Sequence, residues 1–193
     1  MYVETTSEST APDTVDRIYS LERDTLGFVT EATRALSARA DLLAPIFELR
    51  QQLRENFSLG AVNFRLIGLI AAKHVPSSHL SHVSFSLVAR DFGRDKALAV
   101  HRDFRNAELT PVQVEMLSYT EQIAVDASRI SLLDINRMRG VGLTDINIAD
   151  VAFAAAFTCF LGRYLDAVGA EVDAAFLDLN PAIRSELTVG KPL

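Results

Sequence analysis

Hydrophobic residues recur with helical spacing along most of the chain. One stripe, at offsets of 4, 7 and 11, consists of Leu42, Ile46, Leu49 and Leu53. A second stripe with the same offsets consists of Phe153, Phe157, Phe160 and Tyr164. Residues at these offsets share one face of an α-helix. No segment shows the sustained alternation of apolar and polar residues typical of a half-buried strand, so the pattern predicts an all-α fold.

Signals for helix ends divide the chain at several points. In "TPVQ", residues 110–113, a Thr that can cap precedes a Pro suited to the first helical position and a Gln placed as in a capping box. Pro76 is expected to open a helix that Gly93 closes. Thr144 is expected to cap the last long helix, which ends at Gly169. These boundaries predict a bundle of about seven or eight helices.

The length and composition suit one globular domain. The chain has 193 residues, of which 49 % are hydrophobic and 23 % are charged, and this is enough to build an ordinary core. We expect residues 14–179 to form this domain. Residues 1–13 and 180–193 lack a clear helical pattern and are predicted to be flexible tails.

The charge and the apolar runs exclude two classes of partner. The formal net charge is -6 and no cluster of Lys and Arg interrupts it, so we expect no nucleic-acid surface. The longest apolar runs, residues 66–72 and 151–161, are shorter than the roughly 20 residues that a membrane span needs. Residues 1–13 are polar and acidic and do not resemble a signal peptide. We therefore expect a cytoplasmic protein without a membrane partner.

The segment "AAKHVPSSHLSHVSFSLV", residues 71–88, concentrates hydroxyl and imidazole groups on one predicted helix. His79 and His82 are three residues apart, a spacing at which two imidazoles can bind one metal ion. No Asp or Glu accompanies them at helical spacing, so we expect no metal and interpret both histidines as hydrogen-bonding groups of the core or of a subunit contact. The single cysteine, Cys159, excludes an internal disulfide and is expected to pack as a small apolar group.

Two long segments carry a recognisable family pattern. Residues 109–126 read "LTPVQVEMLSYTEQIAVD", and residues 132–169 contain an aromatic-rich helix that ends near Arg163. With the preceding helices, they resemble the AhpD-like proteins, the superfamily of alkylhydroperoxidase and carboxymuconolactone decarboxylase, from about residue 18 to residue 178. The resemblance implies an all-α AhpD-like bundle that assembles as a homo-oligomer, a trimer or a hexamer.

The redox signature of that family is a Glu followed, twelve residues later, by Cys-x-x-Cys-x-x-x-His. Aligned with this chain, the four signature positions are occupied by Arg65, Ser77, Leu80 and Ser84. Peroxide reduction of this kind needs a thiolate nucleophile and a second thiol that forms the disulfide. Neither a serine hydroxyl nor a leucine supplies such a thiol. The sequence therefore predicts that this protein is not a peroxidase.

The same positions supply candidate site residues for other chemistry. Arg65 lies in an apolar helix where the family has its acid, and its guanidinium could bind the carboxylate of a substrate. A salt bridge to another helix is the alternative for Arg65. Ser77, His79 and Ser84 are the candidate catalytic residues, although helix capping is the alternative for the serines. No cofactor is expected.

Three functional hypotheses follow. The first is non-redox catalysis, as a decarboxylase, isomerase or lyase, on a small molecule that carries a carboxylate; the resemblance implies it, because the decarboxylase branch works without the cysteine pair. The second is a catalytically silent homologue that binds a small molecule or serves as a scaffold. The third, an antioxidant activity of the alkyl hydroperoxide reductase type, is disfavoured because it needs thiols that the sequence lacks.

Overall fold

The computed structural model describes residues 1–192, which form ten α-helices and no β-strand. The helices are α1 (Asp13–Leu26), α2 (Glu31–Leu36), α3 (Ala40–Glu55), α4 (Gly60–His74), α5 (Ser78–Phe92), α6 (Arg94–Asp103), α7 (Pro111–Asp126), α8 (Leu132–Gly140), α9 (Asp145–Val168) and α10 (Pro181–Leu187). Eight of them have nine residues or more, and α2 and α10 are short. The all-α prediction is confirmed.

Helix α4 lies at the centre of the bundle, in contact with α5, α7 and α9. Its residues Leu66, Ile67, Leu69 and Ile70 are almost completely buried. A helix with apolar side chains on more than one face is suited to a position surrounded by other helices. This central cluster fixes α5, which carries the hydroxyl and imidazole groups described above.

A second apolar cluster joins α1, α2 and α3 to the rest of the bundle. Val15, Tyr19, Leu43 and Leu165 are fully buried in it. The cluster brings α3 close to the first turns of α5 and to the end of α9. The space left between these elements forms the candidate site.

The start signals identified in the sequence operate as local physics predicts, with one difference. Thr110 and Thr144 both form capping boxes, and Gly169 ends α9 in the left-handed conformation, with φ of 72°. Helix α5 begins at Ser78 rather than at Pro76, because Ser77 is the extended N-cap residue.

The two terminal segments pack against the bundle, where the sequence predicts flexible tails. Leu187 of α10 is fully buried. The Gly190 N–H donates to the Ser78 hydroxyl (3.1 Å), which in turn donates to the Lys191 carbonyl oxygen (2.8 Å). At the other end, the Tyr2 N–H donates to the carbonyl oxygen of Val168 (2.8 Å). Both segments therefore meet near the first turn of α5.

Within residues 1–192, α9 is the one helix whose length and apolar composition would allow it to cross a bilayer. The core helix of a globular bundle has the same properties. Val151, Ala154 and Ala155 of α9 are buried, and the helix packs against α4 and α7.

Candidate functional site

A cavity of about 330 Å³, here called the His79 cavity, opens between α1, α3, α5 and α9. Much of its wall is apolar and includes Leu26, Phe47, Leu80, Val83, Leu161 and Leu165. The ionisable residues that line it are Glu22, Arg50, Arg54, His79 and Asp173. A mostly apolar pocket with a few converging polar groups is typical of a small-molecule site.

His79 lies in the first turn of α5 and is held by the segment that follows α9. Its Nδ1 is 2.8 Å from the carbonyl oxygen of Glu171. Because a carbonyl oxygen only accepts, Nδ1 carries the proton and Nε2 has the free lone pair. Burial lowers the pKa of His79 to about 4, and the charge of Arg50 acts in the same direction. The ring is therefore neutral at pH 7.

The second ring nitrogen of His79 is available to a ligand. Among residues 1–192, the one hydrogen bond of the His79 ring is at Nδ1, and Nε2 has no partner. The hydrogen bond from Nδ1 fixes both the tautomer and the orientation of the ring. His79, which lines the cavity, thus has a ring of fixed orientation and a second nitrogen without a partner among the described residues.

Arg50, on α3, brings a positive charge to the same cavity. Its side chain is half-buried, and burial lowers the pKa of the guanidinium, which still stays cationic near neutral pH. It forms no salt bridge within the part of the chain that the structure describes, whereas Arg23 and Arg34 both pair with Glu8. Arg50 is therefore a cation without a bound carboxylate.

Glu22, on α1, does not pair with Arg50, because its carboxylate oxygens accept hydrogen bonds from the start of α2. Its Oε2 accepts from the Thr30 N–H (2.8 Å), and its Oε1 accepts from the Thr33 hydroxyl (2.7 Å). Its charge favours the cationic form of Arg50 from a distance and raises the pKa of that guanidinium. Glu22 thus joins α1 to α2 while lining the cavity.

Asp173, in the segment after α9, is the least satisfied acid of the cavity. Asp173 is 7 % exposed. Its Oδ1 accepts from the Glu31 N–H (2.8 Å), and its Oδ2 is buried without a partner among the described residues. Burial raises the pKa of Asp173, and the nearby charges of Glu31 and Glu22 act in the same direction. The cavity therefore combines a histidine whose pKa is lowered with a carboxyl whose pKa is raised.

Of the four predicted site residues, the structure places only His79 in this cavity. Ser77 is fully buried as the N-cap of α5. Ser84 faces α4, where its hydroxyl oxygen would be 3.3 Å from a Cβ added to Gly68. The two serines therefore occupy packed positions between helices.

Arg65 is occupied by an ion pair. Its Nε is 2.6 Å from Oδ2 of Asp91, and one of its terminal nitrogens is 2.8 Å from Oδ1 of the same residue. This two-bond geometry joins α4 to α5. It corresponds to the alternative that the sequence left open for Arg65, a salt bridge to another helix.

Sequence reasoning missed Arg50 and Asp173. Arg50 lies in "ELRQQLRE", a polar segment like many solvent-facing helices. Asp173 lies between Val172 and Ala174, just after Gly169, and an acid flanked by apolar residues was a weak local signal. Only tertiary packing brings these two residues to His79.

His79 also lines a second cavity, of about 350 Å³. The two terminal segments contribute Tyr2 and Lys191 to its wall, and α9 contributes Asp166. Burial raises the pKa of Asp166. His79 thus lines both the mostly apolar His79 cavity and a cavity bounded by both terminal segments.

The remaining candidate groups lie apart. The Nδ1 of His82 donates to the carbonyl oxygen of Ser78 (2.8 Å), whereas His79 donates to that of Glu171, so the two histidines have different partners. Among residues 1–192, no three His, Cys, Asp or Glu residues are placed to hold a metal ion. Cys159 is half-buried, and burial raises the pKa of its thiol, which disfavours a thiolate.

No family model matches the chain, and no curated protein matches it in sequence. Its structure is similar to that of an AhpD-core, uncharacterized peroxidase-related protein from Ralstonia eutropha, with a TM-score of 0.85 and 18 % identity over 91 % of this chain and 93 % of that one. A peroxidase-related protein from Silicibacter sp. gives a TM-score of 0.81 and 18 % identity, over 87 % and 89 % of the two chains. A debrominase in complex with 2,3,4-tribromopyrrole gives 0.80 and 15 % identity, over 97 % of both chains.

Proposed function

We propose that this chain, which has the AhpD-like fold, binds a small carboxylate-bearing molecule in the His79 cavity and carries out non-redox acid–base chemistry on it. Decarboxylation, isomerisation and lyase reactions all belong to this class. The observation that supports the proposal is the position of Arg50, a cation without a carboxylate partner that lines the same apolar cavity as a neutral histidine.

The binding step follows from the charges and the cavity wall. A guanidinium presents two parallel N–H groups to a carboxylate, and such charge-assisted bonds are stronger in an apolar environment. The apolar wall, which includes Phe47 and Leu161, suits the hydrocarbon part of the ligand. In this proposal Arg50 has the anchoring role that was one of two possibilities for Arg65 in the sequence, because Arg65 already pairs with Asp91.

The chemical step would use the free Nε2 of His79. This atom can accept a proton from a carbon next to a carbonyl or carboxylate group, and it can return that proton to another atom of the same molecule. No oxidant or reductant is needed. A bound carboxylate would offset the charge of Arg50, which now lowers the pKa of His79, and would make the imidazole a stronger base.

Binding without turnover is the second candidate. In the absence of ligand the pKa of His79 is about 4, which is low for a general base that acts at pH 7. The debrominase of the same fold binds a small aromatic molecule, tribromopyrrole, and this supports a small ligand in either case. Antioxidant activity is not proposed, because the one cysteine of the chain has no partner thiol.

The binding test uses 3-phenylpropionate and its neutral amide, 3-phenylpropionamide, in calorimetric titrations. We expect the acid to bind, and we expect Arg50→Gln to weaken its binding by roughly tenfold or more while the amide is unaffected. Arg129→Gln removes an exposed arginine that lines none of the cavities described here and is the matched control. Equal affinity of the wild type and Arg50→Gln for the acid would contradict the proposal.

The turnover test separates catalysis from binding. Incubation with acids of this class in D₂O, followed by ¹H NMR, reports exchange at carbons next to the carboxylate or carbonyl and any loss of CO₂. We expect exchange faster than in buffer, and we expect His79→Gln to remove this acceleration. Binding without any exchange would assign the chain to the binding-only alternative.

We also propose that the protein assembles as a trimer or a hexamer. The outward face of α9 carries Ile146, Phe153 and Phe160, which are 70 %, 62 % and 44 % exposed. An exposed apolar face of this kind is typical of a subunit interface.

A further inference from the structure

Four buried side-chain atoms have no hydrogen-bond partner among residues 1–192. They are Oγ of Ser81, Nε2 of His82, Nδ1 of His101 and Oδ2 of Asp173. Of these four residues, only Asp173 lines the His79 cavity. An unpartnered polar atom that is removed from water costs free energy unless a ligand completes its hydrogen bond. Among the residues that line this cavity, Asp173 is therefore the one with a buried polar atom, Oδ2, that has no hydrogen-bond partner.

We propose that Asp173 is a neutral carboxylic acid in the ligand-free protein and donates a hydrogen bond from Oδ2 to a second oxygen of the ligand. The ligand class would then be 2-oxo acids, in which a ketone oxygen lies next to the carboxylate. This inference rests on the proposed function, since it assumes that Arg50 binds the carboxylate of the same molecule.

The contacts of Asp173 support a proton on Oδ2. Its Oδ1 accepts the Glu31 N–H at 2.8 Å, so that oxygen is the acceptor of the pair. The charged or titratable groups that surround the carboxyl or share its cavity are Glu22, Glu31, Arg50, Arg54 and His79. An ionised Asp173 would be a third acid beside Glu22 and Glu31 in a buried position. Burial and these two charges raise the pKa of Asp173, as such an arrangement requires.

The three groups suggest one balanced reaction. His79 Nε2 would take the proton from the carbon next to the ketone, and the electron pair of that C–H bond would form a C=C bond. The ketone oxygen would take the proton from Asp173 and become a hydroxyl group, which gives the enol of the 2-oxo acid. The reverse steps return both protons, so the reaction is an enolisation without oxidation or reduction.

The first experiment needs no ligand. In protein labelled with ¹³C at the aspartate carboxyl carbons, the resonance of Asp173 is assigned by its loss in Asp173→Asn and followed over pH. We expect the carboxyl to remain protonated at pH 7, which requires a midpoint well above the ordinary value of about 3.9 for aspartate. A resonance with the shift of an ionised carboxylate at pH 7 would overturn the neutral acid. A carboxyl with a raised pKa costs the folded state stability as pH rises above the unfolded value of about 3.9, and Asn has no such cost, so Asp173→Asn is expected to fold at pH 7.

The second experiment measures ligand choice with two probes of the same carbon skeleton. Phenylpyruvate has the ketone oxygen and 3-phenylpropionate lacks it. We expect the wild type to prefer phenylpyruvate by roughly tenfold, about the contribution of one hydrogen bond to a buried donor. Asp173→Asn keeps an N–H donor and is expected to keep the preference, whereas Asp173→Leu loses it. Asp178→Asn, on the same segment but outside the His79 cavity, is the control.

The outcomes separate this inference from the proposed function. If both probes bind through Arg50 but Asp173→Leu keeps the preference for phenylpyruvate, the role of Asp173 is wrong and the proposed function stands. If neither probe binds, the proposed function and the ligand class both fail, and the carboxyl titration alone decides the protonation of Asp173. For catalysis, we expect the wild type to accelerate deuterium exchange at C3 of phenylpyruvate and Asp173→Leu to lose this acceleration.

Discussion

Arg65 and Asp91 join α4 to α5 through two hydrogen bonds of 2.6 and 2.8 Å, with both side chains no more than a quarter exposed. We predict that Arg65→Ala lowers the free energy of unfolding by about 1 kcal/mol, since the pair is partly exposed and solvent weakens it. We also predict that Arg65→Ala leaves the affinity for 3-phenylpropionate unchanged, because Arg65 does not line the His79 cavity.

A double-mutant cycle tests the first part of this prediction. Urea denaturation of Arg65→Ala, Asp91→Ala and the double variant should give a positive interaction energy, with the double variant less destabilised than the sum of the two. Strict additivity would mean that the two groups do not stabilise one another. A loss of ligand affinity in Arg65→Ala, without loss of folding, would restore the anchoring role that the sequence suggested.

The histidines predict a loss of stability in mild acid. Burial lowers the pKa values of His79 and His101 to about 4 each in the folded protein. In the unfolded chain the pKa is about 6.5, so the unfolded state binds more protons between these values. Stability is therefore lost as pH falls from about 6.5 to 4, by roughly 3 kcal/mol for each histidine.

Urea denaturation between pH 7.5 and 4.5 measures this effect. His101→Gln should flatten part of the pH dependence without affecting binding in the His79 cavity, from which it is absent. A free energy of unfolding that is constant across this range would show that both histidines are as accessible to protons in the folded protein as in the unfolded chain.

Two glycines give a matched test of packing between α5 and α9. A Cβ added at Gly162 would lie 2.9 Å from Cγ1 of Val75 and 3.1 Å from Cβ of Ser77. We predict that Gly162→Ala destabilises the protein by roughly 1–3 kcal/mol, because the start of α5 must shift. At Gly140, in α8, a Cβ would meet nothing within 4 Å, and Gly140→Ala should be neutral or stabilising by up to about 1 kcal/mol. Thermal unfolding of both variants compares them, and equal melting temperatures would contradict the close approach.

The exposed face of α9 predicts an assembly that depends on its aromatic residues. We expect the wild type to run as a trimer or a hexamer in size-exclusion chromatography with light scattering, and Phe153→Ser with Phe160→Ser to shift it to smaller species. Leu132→Ser, at an equally exposed residue on α8, is the control. A wild-type mass equal to one chain of 21.2 kDa would refute the proposed assembly.

Local signals sufficed for the helices but not for the site. Thr110 and Thr144 each form a capping box with the residue three positions later, so the start of each helix depends on neighbouring residues in the sequence. His79 could be found for a similar reason, since it belongs to a polar cluster within one segment. Arg50 and Asp173 are joined to it by packing between elements distant in sequence, and a single sequence without that packing places neither.

The terminal segments illustrate the same limit. Pro181–Leu187 is too short to show a helical pattern, yet Leu187 is fully buried once the rest of the bundle is in place. Arg65 is the converse case. The sequence allowed either a salt bridge or ligand binding for Arg65. The salt bridge depends on Asp91, which lies 26 positions away on the next helix.

Residues 169–173, the five residues directly after α9, position two groups of the site. The Glu171 carbonyl fixes the His79 ring, and Asp173 follows two residues later. A residue inserted or deleted between Gly169 and Glu171 would displace both groups together. Anyone who redesigns the pocket should therefore exchange the stretch as a unit, so that the carbonyl and the carboxyl keep their spacing.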